Sequence, residues 1–458
     1  MASFPQSIAA LHEPLPVPEC APTAPDEGAL LFLGDYNGTL ATARCLGQRG
    51  IDVALVDATP WALARASRYV RHFERLPPAR RADDFMEWLI DRGRGAGQGK
   101  RRTNFTGRVL YPANDEQVFL FAQHQQELSR YFRVYQPPID AIYRILNKQR
   151  LYEACDHAGV DHPATWYPRE EAEVRELAST IHVDLMIKPK SQIQLESITK
   201  GSAVPKDGSL VDSYLQFIRD NHYGPEISAH DGDIGWPMLQ AYHSSHTHRI
   251  YSLAGFIDLS GEPPLMRAAS KLLQRPRNMG VGVCFEAAPV DSKLAGRIEG
   301  LLRDLNYCGI FDIEFIEHEG KFLLIDFNPR AYGQMAFEIA RGLPLPYMHY
   351  LAALNDRPRL AEVCQAATGW QQRGDEAYCH GLFLSLVNVA QRTHELVGGL
   401  KSENWGNWMR LHQNRLTDAV RQPNDPGPAR LDALRHCVQF VRHPSRLQRA
   451  VMRGSPGH

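Results

Sequence analysis

The sequence predicts a multidomain protein of mixed α/β and α+β class. Three observations predict it. Apolar strands and amphipathic helices alternate from Ala29 to about residue 140, the order of a parallel sheet. From about Ile142 the texture changes and closes on an acidic hairpin, Phe311 to Arg330. Past about Pro346 the pattern is mainly helical. The expected divisions are a flexible leader at residues 1–28, an α/β domain at 29–140, a second domain at 141–346 and a mainly helical C-terminal region at 347–458. A length of 458 residues allows two or three domains.

Residues 1–28 are rich in Pro and Ala and carry acids, without a basic stretch leading into an apolar run, so they read as a flexible leader and not as a signal peptide. Ala29 to Leu33 reads as a strand, Thr39 to Arg49 as a helix ended by Gly50, and Ile51 to Val56 as the next strand, ending at Asp57. The turn Gly34-Asp35-Tyr36-Asn37-Gly38 has only two of the glycines of a dinucleotide fingerprint, with Asp57 about 20 residues on, where a ribose ligand would stand. A plain strand-to-helix turn is the favoured reading, with a helix N-terminus able to hold a substrate carboxylate. The basic, Gly-rich stretch Arg92 to Thr106 reads as a loop, Arg108 to Tyr111 as a third strand, and Pro112-Ala113-Asn114-Asp115-Glu116 as the start of another helix.

In the second domain, a helix carrying Asn147 and Lys148 runs to Gly159, and His162-Pro163 breaks the pattern. Asp184 to Lys188 is a strand ending in Lys188-Pro189-Lys190. Met238 to Tyr242 and Arg249 to Ile257 read as a strand pair, followed by Met266 to Leu273. Pro423 to Pro428 reads as a linker-like break. The remainder reads as a basic amphipathic helix with Arg430, Arg435, Arg442, Arg446, Arg449 and Arg453. Its simplest reading is packing on the chain's own core; contact with an anionic membrane surface or another subunit is the alternative.

Composition excludes several classes. The 51 basic and 52 acidic residues balance, which argues against a nucleic-acid partner. The eight cysteines form no C-x-x-C pair, and free thiols fit a reducing cytoplasm. The apolar run Leu382 to Ala390 is too short to cross a bilayer.

The chemistry concentrates in the hairpin. Phe311, Ile313 and Phe315 alternate with Asp312 and Glu314, and Asp326 and Asn328 share a face of the second strand. A turn centred on Gly320 places Glu314 opposite Asp326; a slightly earlier centre would place Asp312 there instead. Acids amid Phe, Ile and Leu need a cation, and this oxygen set suits Mg²⁺ held with nucleotide phosphates. An ordinary hairpin with solvated acids is the bland alternative. Lys148 and Lys188 could neutralise adjacent phosphates as point charges, although a single lysine is usually surface decoration. Arg267 and Lys271 lie four apart, with Arg275 and Arg277 beyond, followed by Gly280 and Gly282. That group suits phosphate or a carboxylate, and a basic loop reads equally well. His243, His246 and His248 lack a fourth zinc ligand and the helical spacing, so a polar loop is favoured.

The order of these elements, and above all Glu314, eleven residues, then Asp326-x-Asn328-Pro329-Arg330, resembles the ATP-grasp superfamily in its carboxylate–amine ligase branch, with D-aspartate ligase-like and carbamoyl-phosphate-synthase-like proteins as the nearest analogues. The resemblance spans roughly Leu30 to Pro346. It implies a Rossmann-like pre-ATP-grasp domain that helps hold the acceptor substrate, then a two-lobed ATP-grasp fold with its small lobe at about 165–240. It also implies Lys148 and Lys188 as nucleotide lysines, Gln240, Ala241 and Tyr242 as the adenine hinge whose backbone reads the base, and Glu314, Asp326 and Asn328 as Mg²⁺ ligands, with Mn²⁺ as the alternative metal. Arg330 resembles the arginine at phosphate and oxyanion, and Lys271, with Arg267 near it, a cation beside the transferring phosphate. Three positions depart from the family pattern. Ser191 to Ser202 has one glycine where a glycine-rich loop is usual, with Lys200 as a source of charge; Ala241 stands where an acid is common; and Asp326 replaces the commoner Glu.

The resemblance implies a cytoplasmic ATP-dependent ligase that forms an amide or peptide-like bond through an acylphosphate, releasing ADP and phosphate. Its partners would be a small-molecule carboxylate and amine, with amino acids as the substrate type, and a homodimer is compatible with it. Carbamoyl-phosphate-type bicarbonate activation and a weakly active ATP-binding regulator or scaffold are the alternatives.

Overall fold

A computed structural model describes residues 28–77, 82–95, 105–197, 201–204, 209–243, 249–275, 280–371, 373–396 and 404–442. The expected leader up to residue 27, Lys200, His246, His248, Arg277, Arg446, Arg449, Arg453 and most of the basic loop lie outside them. The chain is a mixed α/β protein built on three main sheets.

The first sheet is parallel, in the order Val70–Arg75, Val53–Asp57, Ala29–Phe32, Val109–Tyr111. Ala29–Phe32 is apolar throughout because it is buried on both faces, Leu30 and Phe32 in one core and Ala29 and Leu31 in another. The edge strand Val70–Arg75 has no counterpart in the sequence reading. It carries Arg, His, Glu and Arg on a half-exposed edge, so no apolar alternation marks it.

The second sheet is antiparallel, in the order Thr165–Trp166, Met238–Ala241, Leu185–Lys188, Ser202–Ala203. It has its own small core of Val174, Ile187, Val211, Tyr214, Phe217 and Leu239, formed with the helices Glu171–Thr180 and Leu210–Asp220.

The third sheet has seven strands: Lys321–Asn328, Gly309–His318, Ile250–Ile257, Leu265–Arg275, Val281–Ala288, Ala377–Cys379 and Leu416–Asp418. All neighbours are antiparallel except the last two, which run parallel. Two expectations need correction here, the strand pairing around Met238 and the helix around Asn147. The segments around Met238 and Ile250 are not a pair; they belong to the second and third sheets. The region after residue 346 is mainly helical and also contributes the last two strands. The helix around Asn147 is two helices, Ile139–Leu146 and Lys148–Ala158, because Asn147 leaves the helical conformation and caps the second.

The expected break at Pro423 to Pro428 is instead an anchoring point. Asp425 is 1% exposed. It accepts hydrogen bonds from Arg44 Nε at 2.9 Å, Ser67 Oγ at 2.7 Å and the Arg68 N–H at 2.9 Å, while Arg44 also donates to Val420 O at 2.7 Å. The following helix, Gly427–Arg442, packs on the first domain, where Arg435 donates to both oxygens of Asp35, at 2.6 and 2.9 Å. Among the described residues, no helix is long and apolar enough to cross a membrane.

Candidate active site

The three sheets enclose a cleft of about 770 Å³. Its floor is the hairpin of Gly309–His318 and Lys321–Asn328. Glu319 and Gly320 form the turn with positive φ, 49° and 75°, the pair that a tight hairpin turn requires. Glu314 pairs with Asp326, and Asp312 with Asn328. Phe311, Ile313, Phe315, Leu324 and Phe327 are buried in the core, which leaves the acids on the cleft side. The register slips at Ile325, a bulge that presents its carbonyl to Lys148 Nζ at 3.0 Å.

Lys148 is the first residue of its helix, where the helix dipole disfavours a cation. Asp326 supplies the compensating anion through a direct ion pair. Burial alone would raise the carboxyl of Asp326; the Lys148 ammonium, with Arg330 and Lys188 behind it, outweighs this and holds it at about 2. Asn147 fixes the start of the helix. Its oxygen accepts from the N–H groups of Gln149 and Arg150, and its Nδ2 donates to Asp231 Oδ2 and Tyr143 Oη, both at 3.0 Å.

Lys188 ends its strand and donates to Gln240 Oε1 at 2.9 Å. Burial lowers its ammonium to about 8, and repulsion from Lys148 adds to this. Gln240 is held in turn by Tyr152 Oη and Thr165 Oγ1, each accepting from its Nε2 at 3.1 Å. Gln240, Ala241 and Tyr242 all line the cleft. The N–H groups of Ala241 and Tyr242 are taken by the carbonyls of Ala164 and Asp184, at 2.9 and 2.8 Å. Any contact from these two residues to a base therefore falls to other atoms.

Lys271 lines the cleft, is itself buried, and meets Glu314 Oε1 at 2.5 Å. Arg267 does not join it. Its guanidinium donates to the carbonyls of Met266, Ala367 and Arg341, at 3.0, 2.7 and 3.4 Å, and it lines no part of the cleft. Four residues along an extended strand separate side chains by about 13 Å, which is why spacing alone misjudged the pair.

Arg330 joins the hairpin to the first domain. It donates to Asp115 Oδ1 at 2.7 Å, Tyr36 Oη at 3.3 Å and Asn328 Oδ1 at 3.2 Å. Burial would lower its guanidinium, but Asp115 and Tyr36 hold it firmly charged. Asp312, which geometry had left in play beside Glu314, also faces the cleft. It accepts from Ser252 Oγ at 2.6 Å, Gln334 Nε2 at 3.2 Å and Asn328 Nδ2 at 3.3 Å. Burial and the negative charge of Glu314 push it up to about 7. Sequence reasoning had named none of Tyr36, Asp115, Ser252 and Gln334 as site residues. Asp57 does not line the cleft, and its oxygens accept from the N–H groups of Gly34 and Thr59 at 2.6 and 2.8 Å. The first helix presses against Tyr332, whose carbonyl would lie 2.6 Å from a Cβ on Gly38.

Among the described residues, no three His, Cys, Asp or Glu side chains gather as a metal cluster. Two carboxylates and an amide are nonetheless enough for Mg²⁺, which keeps several waters and takes phosphate oxygens as ligands. Glu314, Asp326 and Asn328 offer only hard oxygen donors, and each carboxylate already draws a lysine ammonium. The donor chemistry fits the ion.

No family model matches the chain. A D-aspartate ligase from Enterococcus faecium (strain Aus0004) is 23% identical over 247 residues, 52% of this chain and 56% of that protein. The match thus spans little more than half of the curated relative. Two solved structures share the fold. The biotin carboxylase domain of the Hydrogenobacter thermophilus 2-oxoglutarate carboxylase, in complex with MgADP and bicarbonate, has a TM-score of 0.54 at 14% identity, covering 71% of this chain and 69% of that one. The Campylobacter jejuni biotin carboxylase, in an ATP complex, has a TM-score of 0.53 at 15% identity, covering 71% and 70%. With its hairpin floor and convergent lysines, the chain shares the fold of these nucleotide-binding carboxylase domains and is similar in sequence to a D-aspartate ligase.

Proposed function

We propose that this protein is an ATP-dependent carboxylate–amine ligase that forms an amide or peptide-like bond. One observation carries the reading: Lys148, Lys188 and Lys271 converge in a single cleft on Glu314, Asp326, Asn328 and Arg330. Three cations suit a polyphosphate, and two carboxylates beside an amide suit the metal that accompanies it.

In this reading Lys148 and Lys188 offset the charge of the nucleotide phosphates. Glu314, Asp326 and Asn328 would hold Mg²⁺, or Mn²⁺, which when bound neutralises phosphate charge. A carboxylate oxygen of the substrate attacks the γ-phosphorus, the bond to the bridging oxygen breaks, and ADP leaves. The amine nitrogen of the second substrate then attacks the acyl carbon of the acylphosphate, phosphate leaves, and the amine's proton passes to phosphate or water. Lys271 stands beside the transferred group, and Arg330 faces the oxyanion of the second step. Tyr36 and Asp115 hold Arg330 in place, so the first domain completes the site. Catalysis of this kind rests on positioning and charge and needs no nucleophilic Ser or Cys. The D-aspartate ligase relative supports an amino acid as one substrate.

The test is ADP release on adding amino acid mixtures to the protein with Mg·ATP. Asp326→Ala should abolish release while circular dichroism shows the fold intact; full activity in that variant would remove Asp326 from the metal set. A second reading, bicarbonate activation, draws on the bicarbonate bound by the Hydrogenobacter domain. ADP release that depends on bicarbonate and not on amino acids would favour it.

A further inference from the structure

Two large apolar residues that line the cleft are exposed, Leu33 at 38% and Val281 at 60%. Apolar surface left open in a concave site is surface available to a ligand. Leu33 also has φ +53°, the left-handed conformation that suits glycine and strains a leucine. A strained residue that presents its side chain to a cleft points to a role for that side chain.

The position of both residues ties them to one end of the site. Tyr36 N–H donates to Leu33 O at 3.0 Å, closing a turn whose ends lie within about 7 Å of each other. The hydroxyl of Tyr36 stands 3.3 Å from Arg330 Nη1, and the Arg330 guanidinium carbon lies 5.9 Å from the centre of the Tyr36 ring. Val281 begins a strand of the seven-stranded sheet, and its Cγ1 lies 3.7 Å from where a Cβ on Gly333 would stand. Leu33 is thus linked through its turn to Tyr36, the partner of Arg330, and Val281 adjoins Gly333, and both line the same cleft as Arg330. Arg330 is already matched by Asp115, and Asp312 lies two positions from Glu314 on the same strand face, so this end offers little to a second anion.

We propose that the carboxylate-bearing substrate carries an apolar side chain, seated between Leu33 and Val281 beside Arg330. This rests on the ligase reading and names the substrate class for it. An acidic side chain such as that of aspartate is disfavoured at this position.

The test uses the full chain with Mg·ATP and hydroxylamine as a fixed amine, so that each carboxylate is scored as its hydroxamate together with the ADP released. The series is glycine, leucine, phenylalanine, serine and aspartate, in both enantiomers where they exist. Leucine or phenylalanine should exceed aspartate in kcat/KM by about tenfold or more. In Leu33→Gly, a change that the left-handed backbone accepts without strain, the leucine-to-glycine ratio of kcat/KM should fall roughly tenfold, and it should fall in Val281→Ser as well. A preference for aspartate, or ratios within about twofold of the parent in both variants, overturns the inference and leaves the ligase intact. ADP release with none of the acids overturns the ligase reading, and the inference with it.

Discussion

Replacing Asp425 by Ala tests how the C-terminal region is fastened to the first domain. The carboxylate is 1% exposed and the Arg44 side chain facing it 3%. Its removal leaves a buried guanidinium, a hydroxyl and a backbone N–H without their acceptor. Breaking a buried ion pair from one side costs about 3–5 kcal/mol. Arg44 retains the carbonyls of Val420 and residue 425, at 2.7 and 3.2 Å, so the lower end, about 3 kcal/mol, is expected. With a urea slope of about 1–3 kcal/mol/M, the unfolding midpoint of the segment should drop by roughly 1–3 M. Fluorescence-monitored urea titration measures it, read as a midpoint because a chain of several domains need not unfold in one step. Asp425→Asn keeps one acceptor oxygen and should lose only about 1–2 kcal/mol. Arg44→Met with Asp425→Leu removes both charges and should recover much of the loss. A midpoint shift below about 0.3 M for Asp425→Ala, or a double variant no better than the single, would refute the reasoning.

Further outcomes follow from the cleft. Lys188 is held at about 8, below the ordinary 10.5, so between these values the unfolded chain binds the proton and the native one does not, and this lysine's contribution to stability rises with pH across that window. Polyphosphate favours the charged ammonium; ADP affinity measured by calorimetry should fall as pH rises through about 8, and Lys188→Gln should flatten that fall. Gly38→Ala drives a methyl against the Tyr332 carbonyl and should raise KM for the carboxylate substrate by about tenfold to a hundredfold in steady-state assays, with ADP affinity little changed. Asn147→Ala removes the cap beneath Lys148 and should cost about 1–2 kcal/mol by thermal unfolding, together with weaker ADP binding.

Legibility in the sequence tracked the range of the interactions. The hairpin could be read because alternation and Gly320 act locally, and the structure pairs Glu314 with Asp326 in that register. The paired strands Ala29–Phe32 and Val53–Asp57 could be read as well, since continuous apolar runs mark strands buried on both faces. Val281–Ala288 was hidden by the glycines and cations around its start. Ala377–Cys379 and Leu416–Asp418 are three residues each, too short to show a period. The partners of Arg330 could not be foreseen, because Asp115 and Tyr36 lie 215 and 294 residues away along the chain. Nor could Arg267, whose guanidinium is drawn off by carbonyls at Arg341 and Ala367.

The late strand Ala377–Cys379 has a bearing on biosynthesis. It caps Val281–Ala288, whose outer edge otherwise presents unpaired backbone groups. On the ribosome that edge emerges well before its cover does, at about 5–20 residues per second, so a nascent chain spends several seconds with an open ribbon to which other copies can add. Trimming the gene after residue 346 would make that interval permanent, and the shortened product should accumulate as aggregate.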